Sequence, residues 1–168
     1  MTPIIRELSA ADLDQLVALN TAAVPAVSAA SPDALAALLD LSGHAFAVVD
    51  PARPQALLGF IIAFNPGSSY ASENYRFFET RGSDSLYIDR IVVREANRGQ
   101  QLGQFLYAHA FALARSATRA EVTCEVNIEP PNPGSMRFHE RLGFREIGQQ
   151  ATKDGSVRVS LLAASVSA

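Results

Sequence analysis

Hydrophobic and polar positions fall in short, well-punctuated blocks, each about the length of one element. Ile4 and Ile5 stand between Pro3 and the charged Arg6 and Glu7, which predicts a short first strand. Ser9 supplies an N-cap, and Leu13, Leu16, Val17 and Leu19 then recur at helical spacing until Pro25 ends the pattern. Ser31-Pro32-Asp33 opens a second helix, with serine as cap and proline carrying the backbone angle of a first helical residue. Leu35, Ala36, Leu38 and Leu39 form its apolar face, and Ser42-Gly43 breaks it.

The period then changes. The runs AFAVV (45–49) and ALLGFIIAF (56–64) are nearly continuous in apolar residues and short for helices. They predict a hairpin whose second strand is covered on both faces. The proline-rich stretch 50–54 between them reads as a turn. From Asn65 to about Ser85 no period holds, so the segment reads as a long loop, with Tyr70, Tyr75, Phe77 and Phe78 on it. These rings must cover the core, a second subunit of a homodimer, or a bound ligand, because exposed aromatics are costly in water.

The strand LYIDRIVV (86–93) and the polar connection REANRGQ lead into a helix from Gln101. Leu102, Phe105, Leu106, Ala110 and Leu113 form its stripe, with His109 among them as a structural residue. A strand follows over 120–126. Asn132-Pro133 opens another helix, and Gly143 closes it in the left-handed conformation. Two last strands flank the turn Lys153-Asp154-Gly155. The order β α α β β β α β α β β is that of a mixed α/β sheet, here one domain over residues 1–168.

Composition removes several classes of function. Hydrophobic residues make up 48% of the 168 positions and charged residues 18%, so the chain can build a core. A net charge of −3 argues against a nucleic-acid partner. Cys124 is the only cysteine, which rules out an internal disulfide and a multi-cysteine zinc site, and fits a reducing compartment. Its place in an apolar strand reads as a buried, inert thiol. The scattered His44, His109 and His139 make no metal site. No run is long and apolar enough to cross a bilayer, and the N-terminus has no secretion signal, so the expectation is a soluble, cytoplasmic protein without a membrane partner.

Two segments carry chemistry. In the first, Ile91-Val92-Val93 leads through Arg94-Glu95-Ala96-Asn97 to Arg98-Gly99-Gln100-Gln101-Leu102-Gly103. A strand that ends in a glycine-containing loop and runs into a helix offers free N–H groups to a phosphate, and Gly99 lets backbone approach it closely. The spacing matches neither a P-loop nor a dinucleotide fingerprint. The second segment is Asn132-Pro133-Gly134-Ser135-Met136-Arg137-Phe138-His139-Glu140-Arg141-Leu142-Gly143-Phe144.

Together these segments resemble the GNAT superfamily of acyl-CoA-dependent N-acyltransferases. That family carries an R/Q-x-x-G-x-G/A loop after its fourth strand and an N-x-x-x-x-x-x-Y-x-x-x-G-F junction downstream. The resemblance is strong from about Leu86 to Gly148 and rests upstream on element order alone. Two positions depart from the pattern: Gln101 stands where the family has glycine, and His139 where it has tyrosine.

The resemblance implies a mostly antiparallel sheet of about seven strands flanked by helices and splayed between the fourth and fifth. It implies acetyl-CoA as donor and direct attack by a primary amine of a small molecule or peptide in a ternary complex. A non-catalytic acyl-CoA-binding domain, or a partner-binding module using the aromatic loop, is the alternative. Ile91, Val92 and Val93 would pair with the pantetheine arm, and Arg98 to Gln104 would hold the pyrophosphate. Asn132 and Ser135 would make polar contacts near that arm. His139 would protonate the departing thiolate, bind the cofactor or pack on the helix, with water or Tyr87 as the other proton source. The base would be a carboxylate, Asp89 or Glu125, each equally able to serve as a partner for Arg90 or another arginine.

Overall fold

The residues from Leu57 to Phe64 are buried without a break, so their strand is covered on both faces, as its apolar run requires. In the computed structural model, which describes residues 1–82 and 84–167, it is β3 (Arg53–Phe64). The other strands are β1 (Ile4–Glu7), β2 (His44–Asp50), β4 (Ser85–Val93), β5 (Glu121–Glu129), β6 (Arg145–Thr152) and β7 (Val157–Ser165). They form one sheet in the order β1-β2-β3-β4-β5-β7-β6. β1, β2 and β3 pair antiparallel, as do β5, β7 and β6, and β4 runs parallel to β5. The helices are α1 (Leu13–Ala23), α2 (Pro32–Leu41), α3 (Glu73–Arg81), α4 (Leu102–Ser116) and α5 (Pro133–Arg141).

The chain divides into two compact units, Met1–Phe64 with Arg90–His109, and Asn65–Asp89 with Ala110–Ala168. In the first, the Arg6 guanidinium donates to both Asp12 oxygens at 2.9 and 2.8 Å, and Asp12 also accepts the Ser9 N–H at 2.9 Å. This ties β1 to the entry of α1. Leu16 and Leu35 contribute fully buried side chains from α1 and α2. The expected turn is tighter than the prolines suggest: β3 begins at Arg53, and the pairing passes from Val49↔Leu57 to Asp50↔Arg53. Pro54 thus falls in a bulge, where its missing N–H leaves no ladder bond unmade.

Gly59 marks a close approach in this unit. A Cβ there would lie 2.6 Å from the Val92 carbonyl oxygen and 3.2 Å from the Val93 Cα. Backbone atoms cannot step aside as a side-chain end can. Gly59→Ala should therefore destabilise the protein by about 1–3 kcal/mol, the usual range for overpacking, as a lowered denaturant midpoint would show. A midpoint equal to wild type would mean that β3 and β4 have room to move apart.

In the second unit the long segment is not a loop. Residues 73–81 form α3, capped by Ser72, whose Oγ accepts the Tyr75 N–H at 3.3 Å, and closed by Gly82 at φ 74°. Tyr75 and Phe78, one turn apart, are buried, so they cover the core of this unit rather than a second subunit. Phe77 lies against Gly148 of β6. Two apolar positions one turn apart are too short a stripe to reveal the helix in sequence. On α4 the buried residues are Leu102, Leu106, Tyr107, Ala110 and Ala114, while Phe105 is 38% exposed. The true stripe is rotated from the expected one because Tyr107 takes the core position.

Candidate active site

The glycine loop lies in the first unit. Gly99 has φ 79° and a Cβ added there would meet nothing within 4 Å, so it faces open space. Gln101 has φ 60°, the conformation that makes glycine the natural residue at its position. The first helical bond of α4 runs from the Phe105 N–H to the Gln101 oxygen at 3.0 Å, so the N–H groups of Leu102, Gly103 and Gln104 precede it. N–H groups at a helix start are donors for an anion. Arg98, Gly99, Gln100 and Gln101 are all exposed on this turn. Arg94 anchors the strand end: its Nε and Nη2 donate to the Leu57 oxygen at 2.9 and 2.8 Å. Ile91, Val92 and Val93 close β4 just before it.

The second unit holds the Asn132 junction. Asn132 Oδ1 accepts the Ser135 N–H at 3.2 Å, which caps α5. Gly143 follows the helix at φ 92°. His139 is buried, with its ring set edgewise between Phe138 and Phe144 at 5.3 Å from each. Its Nδ1 lies 2.8 Å from the Ser135 carbonyl oxygen, which only accepts, so Nδ1 carries the proton. Burial lowers the His139 pKa from its ordinary 6.5, and the bond to Ser135 only partly opposes this. At neutral pH the ring is therefore uncharged, which weighs against its giving a proton to a thiolate.

His109 is depressed too, first by burial and then by the charge of His44. Its ring meets Phe46 edge-on at 4.5 Å. Both histidines bind a proton more readily in the unfolded chain than in the folded one. Their stabilising effect is therefore full above the unfolded value near 6.5 and is lost as pH falls through the lower folded values. Urea unfolding should give a lower stability at about pH 5 than at about pH 7.5, with a flatter profile in the His109→Gln, His139→Gln double variant. An equally steep profile in that variant would assign the acid loss to other groups.

The carboxylates also lie in the second unit. The β4–β5 ladder pairs Ser85 with Glu121, Leu86 with Val122 and Tyr87 with Thr123. Asp89 and Glu125 stand two residues further along their strands, on the side-chain face of Tyr87. Each carboxylate takes a phenol: Tyr87 donates to Glu125 Oε2 at 2.7 Å, and Tyr70 donates to Asp89 Oδ1 at 2.6 Å. Tyr87 is 1% exposed, and burial together with the charges of Glu125 and Asp89 pushes its phenol well above the ordinary value. It is a permanent donor. Tyr70 has no signature in sequence, since nineteen positions separate it from Asp89.

The comparisons with known proteins fit this layout. The family described as acetyltransferase (GNAT) family matches residues 14–144. The chain belongs to the GNAT acetyltransferase family. It is accordingly an acyltransferase with acetyl-CoA as donor. No curated protein sequence matches it significantly. Among solved structures, this GNAT chain is similar to the ribosomal-protein-S18-alanine N-acetyltransferase of Escherichia coli, at 18% identity and TM-score 0.73, over 99% of this chain and 96% of that one. Ard1 from Thermoplasma volcanium matches over 100% of both chains at 16% identity and TM-score 0.78. The yncA protein of Salmonella typhimurium, solved with its cofactor acetyl-CoA, matches at 16% identity and TM-score 0.72, over 100% of this chain and 96% of that one. At such identities the likeness is one of fold.

Among the described residues no group of three or more His, Cys, Asp or Glu side chains could hold a metal ion, and no helix is long and apolar enough to cross a membrane. Cys124 is buried.

Proposed function

We propose that this GNAT domain moves an acetyl group from acetyl-CoA to a primary amine of a small molecule or peptide, by direct attack. Acetyl-CoA supplies an activated thioester carbonyl, to which the neutral amine nitrogen bonds as the carbon–sulfur bond breaks; CoA leaves as a thiolate, which takes its proton from water, and the nitrogen releases its surplus proton to solvent. The backbone of Ile91 to Val93 and the loop from Arg98 to Gln104, all in the first unit, hold this donor. The left-handed turn at Gly99 and Gln101 and the N–H groups at the start of α4 suit a pyrophosphate.

Glu125 takes the proton that the amine must lose. The observation that carries this reading is the Tyr87–Glu125 bond: a fully buried phenol fixes a half-buried carboxylate in one orientation. A base must be aimed before it is strong. His139, neutral and held by Ser135, packs between Phe138 and Phe144 at the position of the family's tyrosine.

The test is release of free thiol from acetyl-CoA with a panel of primary amines, alongside calorimetry with CoA. Amine-dependent thiol release supports the enzyme. Tight CoA binding without release on any amine would favour an acyl-CoA-sensing domain instead.

A further inference from the structure

The face of the second unit that carries Glu125 is covered by the chain's own helix. Glu125 pairs with Leu161 of β7, and Leu161 with Gly148 of β6, so the three share one face. A Cβ added at Gly148 would stand 3.8 Å from Leu161 Cδ1 and 3.5 Å from Phe77 Cζ, which puts this α3 ring on the same face. The next row on it is Asn127, Val159 and Gln150, and Gln150 Nε2 donates to Asn74 Oδ1 of α3 at 3.0 Å. Towards β4, the rings of Tyr75 and Phe78 meet that of Tyr87, centroids 5.4 and 5.7 Å apart. The last turn of α3 is tied down as well: Arg81 Nη1 donates to Glu121 Oε2 at 2.8 Å.

The helix therefore reaches from β4 to β6, across β5 and β7. The segment before it closes the β4 flank. Tyr70 donates to Asp89 Oδ1 at 2.6 Å, and the Tyr75 hydroxyl holds the segment by donating to the Asn65 oxygen at 2.7 Å and accepting the Ser68 N–H at 3.0 Å. Glu125 thus has Tyr87 beneath it, Tyr70 on one flank, and Phe77 with the Asn74–Gln150 bridge on the other. From β4 to β6 is three strand spacings, about 14 Å. An extended peptide advances about 3.3 Å per residue, so this width takes about four residues before any side chain is counted. The flanking rings and amides take part of it.

We infer that α3 sets the acceptor class: Phe77 and the Asn74–Gln150 bridge are specificity-determining residues that admit compact amines, about the size of one amino acid, and turn away extended peptides and protein N-termini. This rests on the reading of Glu125 as base and narrows the acceptor that reading leaves open. An acceptor nitrogen at Glu125 has its substituents bounded by these flanks. The bridge is a pair of neutral amides beside an apolar ring, so it sorts acceptors by shape and not by charge.

The experiment is steady-state thiol release from acetyl-CoA with paired acceptors: amino-acid amides, and the dipeptide and hexapeptide amides that begin with the same residues, alongside simple alkylamines. In wild type, kcat/KM for the best compact amine should exceed that for any hexapeptide roughly tenfold or more. A hexapeptide used within about threefold of its own amino-acid amide would overturn the inference. In Phe77→Ala and Gln150→Ala, shown folded by thermal melts, the compact-to-dipeptide ratio of kcat/KM should fall roughly three- to tenfold. Structural damage lowers both members of a pair, so an unmoved ratio in both variants would overturn the role given to these side chains. The wild-type comparison stands even where a variant fails to fold. Failure of the underlying reading shows elsewhere: Glu125→Gln would keep its turnover on every acceptor, whatever their size ratio.

Discussion

Glu125→Gln should lower the turnover number by roughly 10²–10⁴, the usual contribution of a positioned acid or base. Glutamine keeps the shape of the side chain and can still accept the Tyr87 hydroxyl, so the fold has little reason to change. What it loses is the ability to take a proton. In wild type, kcat should rise with pH through the carboxylate's pKa, since only the ionised form accepts the proton. Glu125→Gln should erase that limb and keep the acetyl-CoA KM.

Tyr87→Phe offers a graded companion. Removing a hydrogen bond to the charged form raises the carboxylate's pKa, so the acid limb should move to higher pH. Turnover of Glu125→Gln within about threefold of wild type, less than 1 kcal/mol of barrier, would remove Glu125 from the base role.

Gly99→Val should weaken acetyl-CoA binding by about two orders of magnitude or more, read by calorimetry. The position has φ 79°, and a β-branched residue there is a conformational outlier costing about 1–3 kcal/mol. The loop relieves that strain by turning, which takes its N–H groups off the phosphate, and each charge-assisted bond is worth about 1.5–3 kcal/mol. The strain is local and exposed, so global stability should fall far less than affinity does. Gln101→Gly runs the other way: at φ 60° glycine removes strain, and the variant should melt higher. Unchanged acetyl-CoA affinity in Gly99→Val would place the donor elsewhere.

Much of this was legible from sequence because it is local. Ser31-Pro32 and Asn132-Pro133 open helices through bonds that span three residues, to Ala34 and Ser135. Gly143 closes α5 for a reason contained in its own φ angle. The glycine loop follows its strand and enters its helix within a dozen positions, so its shape needed no distant partner. Even the strain at Gln101 was signalled by its departure from a glycine position.

The features decided only by tertiary structure depend on which strands pair and on what burial does to charge. The α3 helix exists because Tyr75 and Phe78 find a core to cover, not because its sequence repeats strongly. His139 became neutral through burial between two phenylalanines, against the opposing effect of its bond to Ser135, and its residue type alone allowed either charge state. Both phenol–carboxylate pairs span long separations, nineteen residues for Tyr70–Asp89 and thirty-eight for Tyr87–Glu125. The parallel register of Tyr87 with Thr123 sets the second of them. Sequence named the two carboxylates as candidates for one job. The fold gave them different partners, Tyr87 for Glu125 through the register of β4 with β5 and Tyr70 for Asp89 through the path of the segment before α3, and neither is fixed by spacing along the chain.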